Sequence, residues 1–133
     1  LVVILPFSQA QVREAFENPE HRTEFVRLLE CANEIIELPS QTNRNDAYVA
    51  VGQEMLERID ILLALWNGRA AQGPGGTGAI VQCARSQGMP MAWRHAGNRK
   101  PGTHEPTPLG VDQGQVTFEH FPARPACREE KEK

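Results

Sequence analysis

Between Asp60 and Ala84 the chain passes from its most apolar run, through a glycine-rich loop, into an apolar stretch with helical spacing. The run Asp60-Ile61-Leu62-Leu63-Ala64-Leu65-Trp66 reads as a buried strand. The loop Asn67 to Gly78 contains five glycines, at 68, 73, 75, 76 and 78. Thr77 to Gln87 then places Ile80, Val81 and Ala84 on one helical face, with Gly88 as a C-terminal stop and Pro90 beyond it. A strand that feeds a helix through glycines restricts the fold to an open α/β sheet, and it restricts the chemistry as well. The first N–H groups of a helix have no intrahelical partner, the helix dipole favours negative charge there, and glycine lets an anion reach the backbone.

The flanking segments repeat the alternation. Leu1 to Leu5 is a continuous apolar strand ended by Pro6. Ser8 caps a short helix from Gln9 to Phe16, Asn18-Pro19 breaks it, and a second helix runs from Pro19 to about Asn33 with Phe25, Leu28, Leu29 and Ala32 inward. Glu34 to Leu38 is the next strand. A helix from Asp46 to Ile59, with Asp46 at its start, carries Ala47, Val51, Met55 and Ile59 at steps of four. Met89 to Trp93 is a fourth strand, and Val116 to Phe121 alternates as a short edge strand. The order β-α-β-α-β-α-β predicts an α/β fold: a Rossmann-like parallel sheet with helices on both faces, three layers in all, and a short C-terminal edge strand. Ligands in such sheets sit beyond the carboxyl ends of the strands, which here include Trp66-Asn67 and Arg94-His95.

One domain over 1–121 is expected, followed by a charged, proline-punctuated, disordered tail over 122–133. A strand at the first residue predicts that the natural protein continues upstream. It also predicts that the edge beside this strand is covered, either by an upstream segment or by a second copy in a homo-oligomer.

Composition narrows the partners. A net charge of −3 and a pI of about 5.8 make nucleic acid an unlikely ligand. No apolar run reaches membrane-spanning length. Three dispersed cysteines, Cys31, Cys83 and Cys127, lack metal-ligand spacing and fit a reducing, cytoplasmic compartment, with Cys31 and Cys83 as buried small hydrophobes. Arg94, His95, Arg99, Lys100 and His104 form a basic cluster that reads more readily as solvated loop than as phosphate site. No acidic or cysteine partner stands at metal spacing with the histidines, so no metal is expected.

The stretch Ala64-Leu65-Trp66-Asn67-Gly68 leading to Gly75-Gly76-Thr77-Gly78 resembles the SLOG superfamily, Rossmann-like domains related to the LOG phosphoribohydrolases. DprA-like and TRPM N-terminal domains belong to the same group. The likeness extends more loosely from Leu1 to Trp93. It implies a pocket for a nucleotide, AMP or ADP-ribose in type, with phosphate or ribose-phosphate held at the glycine turn. Trp66, Asn67, Gly68, Gly73, Gly75, Gly76, Thr77, Gly78 and Gln82 are the implied ligand-binding residues. LOG-like hydrolases carry PGGxGTxxE. Pro74-Gly75-Gly76-Thr77-Gly78 supplies the first part, but Ala79 stands at the threonine position and Gln82 at the catalytic glutamate. The upstream catalytic arginine has no counterpart near Val51. Gln82 cannot act as a general base, so the expected activity is nucleotide sensing or regulation. An N-glycosidic hydrolase acting on nucleoside monophosphates is the alternative, and a DprA-like nucleic-acid or protein-interaction module the second alternative.

Overall fold

The computed structural model describes residues 1–97, 103, 105 and 109–122. Arg99, Lys100, His104, Cys127 and all of the expected tail except Pro122 lie outside the described residues.

The elements follow the expected alternation: β1 (Val2–Leu5), α1 (Gln9–Glu14), α2 (Pro19–Glu30), β2 (Glu34–Glu37), α3 (Arg44–Arg58), β3 (Leu62–Trp66), α4 (Thr77–Ser86), β4 (Met91–His95) and β5 (Val116–Glu119), with a 3-10 turn at Gly110–Asp112 before β5. Local chemistry sets their starts. Ser8 and Gln11 form a reciprocal capping box at α1, and the Asn18 side chain accepts from Glu20 N ahead of Pro19 at α2. The helix expected to start at Asp46 starts earlier. Asn43 is its cap and accepts from Asp46 N, so Asp46 sits in the first turn, where its charge favours the dipole. Gly88, with φ 65°, ends α4 as expected. β4 begins two residues later than expected, at Met91, just after Pro90, whose carbonyl accepts from Leu62 N in the first bond of the β3–β4 ladder.

The fold is mixed α/β, but one continuous parallel sheet is not what forms. β1 and β2 make a two-stranded parallel sheet, with Val2 opposite Glu34 and Leu5 opposite Glu37. A second sheet has the order β3-β4-β5: β3 and β4 are parallel, with Leu62 opposite Met91, and β5 runs antiparallel to β4 with Glu119 opposite Met91. The edge strand expected near Val116 is therefore present. β1 and β3 share no ladder. The run read as a buried strand is buried on one face only: Leu62, Ala64 and Trp66 are buried, while Leu63 is 78% and Leu65 70% exposed. A continuous apolar run looks the same in sequence whether one face or both are covered.

The core is the space between β3, β4 and the helices α3 and α4. Leu56, Leu62, Ala64, Trp66, Val81, Ala84 and Met91 form it, with Met55, Ile59, Ile80 and Trp93 packed around them. Helices α1 and α2 contribute no buried residue. Cys31, expected inside, is exposed at the end of α2, and Cys83 is half-buried.

One ion pair ties the core helix to the edge strand. Arg85 on α4 donates to both carboxylate oxygens of Glu119 on β5, at 2.8 and 2.7 Å. The guanidinium also lies over the rings of Trp66 and Trp93, at 5.5 and 5.8 Å from their centroids. The bidentate bond from Arg85 holds the Glu119 carboxyl below its usual 4.5. Because the folded-state value is depressed, this stabilisation is present above pH 4.5 and is lost as pH falls through the lower folded-state value. Acid titration of unfolding stability should therefore show a loss of about 1 kcal/mol in that window, and Glu119→Gln should remove it.

Candidate functional site

The carboxyl end of β3, the loop after it and the start of α4 enclose a cavity of about 250 Å³. Leu65, Trp66, Asn67, Arg69, Ala70, Ala71, Gln72, Gly76, Thr77 and Gly78 line it. Of the nine residues implied by sequence, Trp66, Asn67, Gly76, Thr77 and Gly78 are brought together there. The other four stand apart. Gly75 lines a neighbouring hollow with Val49, Gln53 and Ile80. Gly68 packs toward the Trp93 ring, Gly73 faces open space, and Gln82 is exposed on α4.

The start of α4 is built for approach to its backbone. Gly76 is the N-cap, no side chain caps the helix, and the first turn contains no acidic residue. Gly76 O accepts from Ala79 N and Ile80 N at 2.9 and 3.2 Å, which closes the first turn behind Thr77 and Gly78. Two glycines fix the loop. Gly75 adopts φ 80°, and a Cβ there would meet Tyr48 Cβ at 2.9 Å and Val49 N at 3.0 Å on α3. Gly78 is buried under the loop, with Ala71 N 2.8 Å and Arg69 O 3.0 Å from where a Cβ would stand. Loop and helix are thus in backbone contact.

Trp66 performs two structural tasks. Its ring sits 5.0 Å from that of Trp93, and its Nε1 donates to Arg69 O at 3.0 Å, pinning the loop. Its carbonyl accepts from Trp93 Nε1 at 2.9 Å and from Ala96 N at 3.0 Å. Asn67 Oδ1 accepts from Arg69 N at 3.0 Å, an Asx turn that leaves its amide nitrogen and one oxygen lone pair for a ligand. Trp66→Phe should release the loop carbonyl and leave part of the indole's space empty, lowering unfolding stability by about 1–3 kcal/mol. Urea titration would measure that loss, and exchange of the Arg69 and Ala71 amides should accelerate.

Arg69 is the residue that motif matching missed. It lines the cavity and is exposed. The signal was there: Arg69 is the sole charged side chain between Asp60 and Arg85. With the uncapped helix start it makes the cavity electropositive.

His95 does not join it. Its ring stacks on Trp93 at 3.8 Å and its Nε2 hydrogen-bonds Thr117 Oγ1 at 2.7 Å, which ties β4 to β5. Among the described residues no group of three His, Cys, Asp or Glu is placed to hold a metal ion, and no helix is long and apolar enough to cross a membrane. A larger hollow of about 460 Å³ lies between α1, α2 and β2. It is a mostly apolar groove with Gln9, Arg13 and Glu30 at its lining, and no glycine turn or helix start of the kind singled out in the sequence opens into it.

Compared with protein-family models, characterised proteins and solved structures, the chain matches none.

Proposed function

We propose that the chain is a SLOG-type, three-layer Rossmann-like domain that binds a nucleotide for sensing or regulation. The cavity at the start of α4 would hold its phosphate or ribose-phosphate. The observation that carries this reading is the joint presence of an uncapped helix start and a lone arginine in one cavity at the carboxyl end of the most apolar strand. Backbone N–H groups, a helix dipole and a guanidinium together suit an anion. The volume, about 250 Å³, lies below the roughly 300–1,000 Å³ of sites that enclose a whole drug-sized ligand. It suits a phosphate with part of a ribose, the base extending outside.

Binding without turnover is the better-supported form of the reading. No carboxylate lines the cavity, and Gln82, at the position of a LOG-type catalytic glutamate, lies exposed outside it. An N-glycosidic hydrolase needs a carboxylate beside the sugar to act as base or to stabilise an oxocarbenium-like centre.

Thermal denaturation with AMP, ADP-ribose and inorganic phosphate tests the proposal. A ligand present at a hundred times its dissociation constant should stabilise the fold by about 2.7 kcal/mol. Arg69→Ala should leave the melting temperature of the free chain within about a degree and cut the ligand-induced rise by half or more. No rise with any of the three at millimolar concentration refutes it.

A further inference from the structure

Helices α1 and α2 meet over three adjoining hollows that share one side chain, Arg13. The first, about 460 Å³, is the apolar groove against β2, where Ala10, Phe25, Val26, Leu29 and Ile35 stand. The other two, of about 360 and 320 Å³, contain a second arginine, Arg22. Val26 lines both the groove and the larger of these two, so the apolar and the charged spaces meet.

Arg22 is held in place but not satisfied. Its Nη2 donates to Phe16 O at 2.7 Å, in the turn between the two helices. Its Nε is buried and has no acceptor. A guanidinium carries five N–H donors, and burying one without a partner costs the desolvation of that donor. Such an orphan calls for an acceptor that the described residues do not supply.

Arg13 is exposed, and among the described residues its guanidinium has neither a hydrogen bond nor an ion pair. Arg27, which also lines the larger charged hollow, is already taken by Glu24, to which it donates at 2.8 and 2.6 Å. Glu14 and Glu30 line the same spaces, but both are exposed and neither pairs with an arginine. Two guanidiniums therefore border one space with donors to spare.

We infer that the junction of α1 and α2 is a binding site for an amphipathic monocarboxylate. The carboxylate lies between Arg13 and Arg22, and the apolar body lies in the groove along Phe25, Val26, Leu29 and Ile35. A planar carboxylate matches the guanidinium fork and offers an oxygen to each arginine. A single negative charge is favoured over a phosphate dianion, because Glu14 and Glu30 repel the second charge. The groove orients the rest of the ligand. Its volume falls within the roughly 300–1,000 Å³ of small-molecule sites, which are mostly apolar with a few polar groups that fix the ligand's direction. The site shares no residue with the cavity at the start of α4, so it stands apart from the nucleotide reading.

Nuclear magnetic resonance of the whole chain, titrated with octanoate, tests the assignment. Octanoate at millimolar concentration should shift the backbone amides of Ala10, Arg13, Val26 and Leu29 and the Nε–H of Arg22 along one saturable curve. Octylammonium and octanol keep the tail and acetate keeps the head, and each should bind about tenfold more weakly or worse. Arg22→Gln also breaks the bond to Phe16 O, so Arg13→Gln is the main variant. Arg13 bonds nothing through its side chain among the described residues, so its replacement should leave the circular dichroism and the melting temperature unchanged. Octanoate affinity should nevertheless fall by about tenfold or more. Arg13→Lys, which keeps the charge and loses the fork, should recover only part of it. An equal response to octylammonium or octanol reduces the groove to an apolar surface and overturns the inference. A stronger response to inorganic phosphate, no saturable shift at these residues, shifts confined to residues 67–78, or undiminished affinity in Arg13→Gln overturns it as well.

Discussion

Met91→Ala is expected to lower the unfolding free energy by about 2–5 kcal/mol. Met91 is fully buried at the first position of β4, opposite Leu62 on one side and Glu119 on the other. Among the described residues it is the largest side chain that is fully buried, and it joins the strand layer to Leu56, Val81 and Ala84. The sheet is fixed there by ladders on both sides, so the space cannot close by moving the backbone, and a cavity remains. A domain of this size has about 5–15 kcal/mol of stability in total, so the loss should be visible as a large fall in the urea midpoint at unchanged slope. Leu28→Ala is the control. Leu28 is apolar and sits at helical spacing, yet it is 48% exposed, and its truncation should cost about 0.5 kcal/mol or less.

That contrast marks where the sequence was legible and where it was not. Elements were legible because their signals are local. Ser8 with Gln11, Asn18 before Pro19, and Gly88 each announce a helix end through a hydrogen bond or dihedral angle spanning a few residues. The start of α3 was misread because Asn43 and Asp46 are both good caps, and only the observed bond from Asp46 N to Asn43 Oδ1 decides between them. Pairing was not legible, since it depends on contacts distant in the chain. Nothing in Leu62-Leu63-Ala64-Leu65 distinguishes a strand buried on two faces from one buried on one. Leu28 and Cys31 were assigned inward on the same insufficient grounds, that they are apolar and periodic. In the candidate site, the glycines were legible as a turn, but their separate duties were not. Gly75 yields to α3 and Gly78 to its own loop, whereas Gly73 meets nothing within 4 Å. Arg69 escaped because a motif match weights the residues it contains, and this arginine lies in the longer loop that precedes the motif.

Gly78→Ala should destabilise the fold by about 1–3 kcal/mol and abolish anion binding, although alanine is the better helix former by nearly 1 kcal/mol. The sign is decided by what the added methyl meets. It would stand 2.8 Å from Ala71 N, 3.0 Å from Arg69 O and 3.3 Å from Ala70 C. These are backbone atoms of a loop already held by the Trp66 indole and the Asn67 side chain, so no rotamer change relieves the clash. Either the loop lifts from α4, which opens the cavity and displaces Arg69, or the helix start unwinds and its N–H groups lose their common direction. Both routes remove the binding geometry, and both expose apolar surface around Trp66. Gly73→Ala has open space for its methyl, so it should leave the melting temperature and any nucleotide-induced rise unchanged. Thermal denaturation of the two variants with and without AMP separates the causes. If Gly78→Ala lost stability but kept the full ligand-induced rise, the loop would be a structural turn only, and the phosphate would have to bind elsewhere. If both variants lost the rise equally, loop flexibility rather than the Gly78 contact would be the requirement. Loss in Gly78→Ala alone ties the close packing of loop on helix to the electropositive cavity, making one backbone contact responsible for both the stability and the chemistry of this end of the sheet.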